Sequence, residues 1–145
     1  MIIMHERLLN LKNSLKNPIL QRIASGDSTV CDQDYDFTES EVVDYTRWNA
    51  LSVASAFGHS DIVNRLLEIQ EVRGNAHTGN NLALQVAAEN GHLAIVDCLL
   101  EIQEVRGNAH IDNNWALREA AGNGHLAIVN RLLVIPAVSS NAHAG

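Results

Sequence analysis

A repeat with a period of 33 residues constrains this chain more than any other sequence feature. A Gly-His pair stands at Gly58, Gly91 and Gly124, and aliphatic residues follow each pair at the same offsets. Such self-similarity is typical of stacked supersecondary units, each of which buries its apolar face on its neighbours. The shared positions include Leu51, Leu84 and Leu117; Ala54, Ala87 and Ala120; Ile62, Ile95 and Ile128; and Leu66, Leu99 and Leu132.

Each unit is predicted to contain two helices. In the first unit, the first helix is expected over residues 50–57, and Gly58 suits a helix end that needs a positive φ. The second helix is expected to begin near Ser60 and to end near Glu68, with apolar residues at helical spacing. In the third unit, Pro136 disfavours the α conformation of the residue before it, so that second helix should end by Val134 or Ile135.

The connection after each second helix is predicted to be a loop. Val72 and Val105 are expected to hold it against the core, and Arg73-Gly74-Asn75 is typical of a turn.

The Gly-His, Ile-Val and Leu-Leu pairs at these spacings resemble the ankyrin repeat, from about Arg47 to Gly145. The resemblance implies an all-α solenoid in which residues 47–145 form three 33-residue repeats. The family's Thr-Pro-Leu-His opening survives only as a leucine, and Gln70, Gln103 and Pro136 replace its closing glycine. The loops are therefore expected to be a variant of the family's β-hairpin finger. The segment Leu-Leu-Glu-Ile-Gln-Glu-Val also resembles repeats of ankyrin proteins from intracellular bacteria.

Residues 1–46 do not follow the repeat and are predicted to form a helical cap with an acidic loop. Leucines at helical spacing predict a helix over residues 5–16, and Asn17-Pro18 predicts an N-cap for a second helix that ends at Ala24. Thr38 and Glu41 match a capping box, which predicts a third helix from Glu39 to about Tyr45.

The charge distribution argues against binding to nucleic acid. Seven acidic residues between Ile23 and Thr46 account for the net charge of −7, and basic residues form no stripe that could follow phosphates. No apolar run approaches the ~20 residues of a membrane span, and charges interrupt the start of the chain, so we expect neither a membrane segment nor a signal peptide. Cys31 and Cys98 fit no ligand spacing and are expected to be reduced. We predict a cytoplasmic protein, or one in a host cytosol if it is a secreted bacterial effector.

The histidines form two series with the repeat period, and neither predicts a metal site. Their members lie one repeat apart, and packed helices are ~8–10 Å apart, whereas zinc ligands lie within ~2.0–2.3 Å of the ion. Each histidine is instead expected to order its own turn through a hydrogen bond to the backbone. The two series are His59, His92 and His125, and His77, His110 and His143.

Other chemistry-bearing motifs are weak. Asp32 to Asp36 begins like a calcium loop, but Phe37 and Val43 stand where an EF-hand needs Gly and Glu. Because the sequence also contains no familiar nucleophile or phosphate-binding motif, we predict no catalysis, no cofactor and no metal.

Positions that differ between units are the candidates for binding. In ankyrin proteins, loop tips and first helices line the partner surface, so the resemblance implies a protein–protein interaction scaffold. Asn81 and Asn114 are excluded because each is expected to be an N-cap. An alternative for the tryptophans is packing, of Trp48 under the cap and of Trp115 between units. The candidate residues are Arg47, Trp48, Ser52, Phe57, Thr78, Asn80, Gln85, Glu89, Ile111, Asp112, Arg118 and Asn123.

The expected partner is another protein, not nucleic acid or membrane. An alternative is that the repeats are the targeting module of a longer enzyme or effector. Val134 replaces Glu68 and Glu101, so the third unit gains apolar surface where the last unit of a solenoid should be polar. This substitution predicts that the C-terminal end packs on a second copy, as a homodimer, or on further sequence.

Overall fold

A computed structural model describes residues 2–144 of the chain, and the side chains of residues 6–140. Over these residues the fold is an all-α repeat solenoid with one small β-hairpin. The N-terminal elements are α1 (Ile2–Ser14), α2 (Pro18–Ala24), a 3-10 helix (Ser28–Asp32), β1 (Ser40–Val43) and β2 (Thr46–Asn49). The repeats contain α3 (Ala50–Phe57), α4 (Ser60–Leu67), α5 (Gln70–Gly74), α6 (Thr78–Glu89), α7 (Leu93–Leu100), α8 (Gln103–Gly107), α9 (Ile111–Gly122), α10 (Leu126–Leu133) and α11 (Pro136–Ala144).

The predicted helix pairs are confirmed as α3–α4, α6–α7 and α9–α10. Asn49 caps α3 by accepting a hydrogen bond from the backbone N–H of Ser52, and Gly58 ends the helix with a φ of 79°. The second helices also end as predicted, with Glu68 as the C-cap of α4 and Val134 as that of α10. Local sequence therefore determines the boundaries of both helices in a unit.

The first helices of successive units pack against each other through small residues. Ala54, Ala87 and Ala120 are fully buried at equivalent positions, and the second helices also contribute buried aliphatic residues. Short side chains let neighbouring helices approach closely, since interaxial distance depends on the residues in contact. The core is a continuous aliphatic layer that runs through the units.

The prediction of a helix over residues 39–45 is wrong, because this segment belongs to an antiparallel hairpin. β1 pairs with β2 in the register Ser40↔Asn49 and Val43↔Thr46. Asp44 and Tyr45 form the two-residue turn with φ values of 51° and 66°. Positive φ at both central residues is the turn geometry that matches the twist of two paired strands.

A local contact and a tertiary contact replace the two halves of the expected capping box. The Thr38 hydroxyl donates to the Asp36 carboxylate, and Glu41 accepts hydrogen bonds from the backbone N–H groups of Lys16 and Asn17. The Glu41 carboxylate thus joins the hairpin to the segment between α1 and α2, a contact that a local motif cannot reveal.

The helix α2 forms as predicted. The Asn17 side chain caps it by accepting from the backbone N–H of Ile19 at 2.9 Å, and Pro18 occupies its first position. Together, α2 and the 3-10 helix cover α3 and α4 in the way that one repeat covers the next, with Ile23 and Val30 fully buried. The division into a cap over 1–46 and repeats over 47–145 remains a prediction.

The connections after the second helices are short helices, α5, α8 and α11, and not simple loops. Val72 and Val105 are buried, as predicted, but they lie on α5 and α8. Pro136 begins α11, where its fixed φ suits the first turn. The loops were expected to differ from the family's β-hairpin finger, and in this chain short helices replace it.

Three consecutive left-handed residues interrupt the beginning of α6 and the beginning of α9. They are residues 79–81, with φ near 60°, and residues 112–114, with similar values. Gly, Asn and Asp are the residue types that adopt this conformation most readily. The prediction that Asn81 and Asn114 are N-caps is wrong, because their buried side chains donate to the carbonyls of Val105 and Val138 at 2.8 and 3.1 Å.

Candidate functional site

A groove of about 310 Å³ lies beside the first helices, between α1, the hairpin and α6. We call it the tryptophan groove, because Trp48 of β2 and Trp115 of α9 both line it. Its floor is one face of α6, where residues at i, i+3, i+4 and i+7 point the same way. These floor residues are Leu82, Gln85, Val86 and Glu89.

A single buried carboxylate gives the groove its polar centre. The Glu89 side chain is 10% exposed, and its Oε1 lies 2.6 Å from Nη1 of Arg7 on α1. Burial raises the pKa of Glu89 above its usual value, Arg7 opposes this shift, and Glu119 adds to it. The site therefore favours a cationic group beside Glu89.

The two tryptophans have different surroundings. Trp48 is half-buried and packs against the hydrophobic core while also lining the groove, so the packing alternative holds in part. Trp115 is half-buried, and the Arg118 guanidinium lies 5.4 Å from its ring centroid, within cation–π range. Arg118 also donates to the carbonyls of Asp112 and Asn113 at 3.1 and 3.0 Å, which fixes it over the left-handed turn.

Three further candidates line a second groove of about 320 Å³, between the hairpin and the start of α6. We call it the loop groove. Arg47 donates to the Ser40 hydroxyl at 3.1 Å, and the Thr78 hydroxyl donates to the carbonyl of Asn75 at 2.8 Å. Ser52 is buried, and its hydroxyl accepts from the backbone N–H of Asn49, so it closes the capping box of α3.

The other candidates lie outside both groove linings. Phe57 stacks on His59, with ring centroids 6.3 Å apart and planes inclined by 6°. The exposed Asn80 accepts a hydrogen bond from Gln85 Nε2 through its carbonyl, while Asn123 donates to the carbonyl of Glu89 at 3.2 Å. Ile111 is half-buried and Asp112 is exposed, both at the entry to α9.

The structure also brings in groove residues that the sequence analysis did not select. Arg7 and Leu8 reach the tryptophan groove from α1, and Val43 and Asp44 reach it from the hairpin. Comparison of the repeats could not select these residues, because α1 lies outside the repeat and the sequence predicts a helix in the hairpin segment.

The prediction that each histidine orders its own turn is wrong for the first series. Each ring reaches the preceding unit, where a backbone carbonyl faces its Nε2 and requires that nitrogen to donate. Burial lowers the pKa of His92 below its ordinary value, and His125 and His59 on either side lower it further. The Nε2–carbonyl pairs are His59 with Ala24 at 3.0 Å, His92 with Ala56 at 3.1 Å and His125 with Glu89 at 3.0 Å.

The second series is half-buried at His77 and His110, and the His143 side chain lies outside the described residues. Within residues 6–140, no group of three His, Cys, Asp or Glu side chains is arranged to hold a metal ion. In the acidic loop, Asp32 accepts from Arg65 at 2.6 Å and Asp36 accepts from Thr38. Across the described part of the chain, none of the helices has the length and hydropathy to cross a bilayer.

Comparison with known proteins agrees with this architecture. A family model described as "Ankyrin repeats (3 copies)" matches residues 10–104 and 51–142, which together span most of the chain. The match begins inside α1, so it includes α2 and the 3-10 helix as well as the three helix pairs. No curated protein matches the chain. The helix pairs, their 33-residue spacing and this match show that the chain belongs to the ankyrin-repeat family.

Proposed function

We propose that this chain is a protein-binding scaffold and that its partner binds in the tryptophan groove. Ankyrin repeats are generally protein–protein interaction modules. The observation that carries the proposal is a groove in which two tryptophans flank a buried carboxylate. Residues that dominate the energetics of protein interfaces are enriched in Trp, Tyr and Arg and lie in well-packed, desolvated pockets.

Further candidates extend this surface. Gln85 on the groove floor and Trp115 are both half-buried, and the Arg118 guanidinium lies over the Trp115 ring. Arg47 and Thr78 in the loop groove would contact a partner that continues past the hairpin. Ser52 and Phe57 act mainly through the fold, since one caps α3 and the other stacks on His59.

We also infer that the chain acts without catalysis, without nucleic acid and in the cytoplasm. The net charge of −7 supports the exclusion of nucleic acid, because an acidic chain repels phosphates. The alternative of a targeting module in a longer protein uses the same groove. A homodimer through the C-terminal end remains a prediction, which sedimentation equilibrium over a range of protein concentrations would test.

Site-specific photo-crosslinking tests the groove. A photoreactive phenylalanine analogue at Gln85, inside the tryptophan groove, should form one dominant crosslink to a cellular protein. The same analogue at Glu104, an exposed residue on α8 that lines neither groove, is the matched control and should not form that crosslink. Equal capture of the same protein from both positions would move the interface away from the groove.

Variants then test the residues one at a time, with the captured protein as ligand. We expect Trp115→Ala and Arg118→Ala to weaken binding at least tenfold, because each removes part of an aromatic–guanidinium pair at the rim. Asn64→Ala and Glu104→Ala should leave the affinity unchanged, because neither residue lines a groove. Circular dichroism melts of all four proteins separate loss of binding from loss of folding.

A further inference from the structure

Arg7 of α1 is bound to the carboxylate of the tryptophan groove through a single contact. Its Nη1 donates to Oε1 of Glu89 at 2.6 Å, and 82 residues separate the two in the chain. Among residues 6–140, no hydrogen bond reaches Oε2 of Glu89. Because a guanidinium can donate to both oxygens of a carboxylate at once, this contact leaves one oxygen for another donor.

The two members of this ion pair differ in how firmly the fold holds them. The Glu89 side chain is 10% exposed, and its backbone carbonyl accepts from His125 at 3.0 Å and from Asn123 at 3.2 Å. The Arg7 side chain is 62% exposed, and Leu11 is the only buried residue among the described side chains of α1. The repeats therefore fix the carboxylate, whereas the guanidinium reaches it from a lightly packed helix and can move into solvent.

The charges around the groove determine what can replace Arg7. The charged residues that line it are Arg7, Asp44 and Glu89. Burial raises the pKa of Glu89, and the nearby charge of Glu119 adds to this shift. A buried carboxylate without a cation beside it is costly. Removal of Arg7 would leave only negative charge in the lining, so Arg7 exchanges most favourably with another cation.

The aromatic walls favour a guanidinium over an ammonium group as that cation. A guanidinium is planar and weakly hydrated, and it stacks on aromatic rings, whereas an ammonium is a compact and strongly hydrated charge. The chain itself contains such a contact, because the guanidinium of Arg118 lies 5.4 Å from the ring centroid of Trp115. Leu8 and Leu11 line the groove beside Arg7. The group now bound there is therefore an arginine with aliphatic neighbours.

We propose that the tryptophan groove binds an arginine of a partner protein, flanked by aliphatic residues, in the place where Arg7 now contacts Glu89. Arg7 then competes with the partner and does not help to bind it. This inference rests on the proposed function, because it assigns the chemistry of the partner in the same groove. It predicts opposite effects for the two members of the ion pair, since loss of Arg7 should strengthen binding and loss of the Glu89 charge should weaken it.

Titration of the full chain with a short peptide tests the assignment. The probe is acetyl-Leu-Arg-Leu-amide, and the indole N–H signals of Trp48 and Trp115 in NMR spectra report its binding. Arg7→Ala should lower the Kd of the probe by about threefold or more, because the competing side chain no longer occupies the site. Glu89→Gln should raise the Kd by about tenfold or more, because the buried charge that pairs with the guanidinium is lost.

Two controls accompany the titration. Acetyl-Leu-Lys-Leu-amide keeps the charge but lacks the planar fork, and it should bind about threefold more weakly or less well still. Arg7→Gln keeps part of the aliphatic stem of Arg7 and should strengthen binding of the arginine probe as Arg7→Ala does. Circular dichroism melts show whether each variant keeps the wild-type fold.

Three results would overturn the proposal. They are weaker binding after both Arg7 substitutions, a Kd that does not change with Glu89→Gln, and equal Kd values for the arginine and lysine peptides. The first would make Arg7 part of the binding surface. Capture of a cellular protein through the photoreactive analogue at Gln85 does not require an arginine in that protein, so the proposed function and this assignment fail separately.

Discussion

The two ends of the solenoid differ in whether the terminal helix pair is covered by another part of the chain. At the N-terminal end, α2 and the 3-10 helix cover the first helix pair, and Gly26 receives His59 as a full repeat would. At the C-terminal end, Leu133 and Val134 meet solvent and Gly124 receives no described histidine. The comparison teaches that a unit much shorter than a repeat can cover a repeat face, provided that it supplies the glycine, the carbonyl and a few aliphatic side chains.

A second series of contacts joins the units on the side of the second helices. Arg131 donates to Asp97 at 2.9 Å between the last two units, and Arg65 donates to Asp32 at 2.6 Å at the N-terminal end. At the middle junction the Cys98 thiol donates to Asn64 instead, at 3.2 Å. These contacts vary in chemistry, whereas the histidine contact does not, so the latter is the defining feature of a junction.

Matched leucine truncations should give the largest difference between a covered and an uncovered face. Leu100→Ala should lower the free energy of unfolding by about 2–5 kcal/mol, because it leaves a cavity in a closed core. Leu133→Ala removes a side chain that is already partly solvated and should cost about 1 kcal/mol or less. Urea denaturation measures both values. Similar losses would mean that the outer face is covered in solution.

Matched glycine substitutions should give the next largest difference. Gly124→Ala forces alanine into a left-handed conformation, at a cost of about 1–2 kcal/mol. Gly91→Ala has the same strain and also places a methyl group against the His125 ring, which adds about 1–3 kcal/mol of overpacking. Thermal denaturation of the two variants checks this order. If Gly124→Ala were the more damaging, the ring would not be the decisive contact.

The pH dependence of stability should report the buried histidine at the middle junction. Because the pKa of His92 is lowered in the folded state, the unfolded chain binds more protons below the ordinary value of 6.5. Stability from this group is therefore present above pH 6.5 and falls as the pH falls through the folded pKa. His92→Gln should flatten this part of the profile, measured as urea midpoints across the range. Asn130→Ala, which removes no titrating group, should keep the wild-type slope.

The ion pairs should show the smallest effects. The Arg131 and Asp97 side chains are both more than one-third exposed, and pairs in such surroundings contribute little to stability. We expect Arg131→Ala and Arg65→Ala to leave the urea midpoint unchanged within error at moderate salt. A clear loss from Arg131→Ala alone would show that the C-terminal unit depends on this contact because its other face is open.

The structure confirms several predictions that depend on local sequence. Asn17 and Pro18 begin α2, Gly58 ends α3, and the aliphatic period determines which faces of the helices are buried. The tryptophan groove combines the selected candidates Trp48, Gln85 and Glu89 with Arg7 of α1, which the sequence analysis did not select. No periodicity connects Arg7 with Glu89, because 82 residues separate them in the chain.

The sequence by itself determined the ankyrin repeat, its helix boundaries and its aliphatic core, because caps, left-handed glycines and 3.6-residue periodicity act over a few residues. Tertiary structure decided the hairpin at residues 40–49. There Glu41 does not form the expected capping box but accepts hydrogen bonds from the backbone N–H groups of Lys16 and Asn17. Tertiary structure also decided the histidine contacts. Each ring contacts a glycine of the preceding unit, and no local sequence pattern predicts a contact between residues so far apart in the chain. Those long-range contacts, and not the helices themselves, distinguish a covered face of this solenoid from an open one.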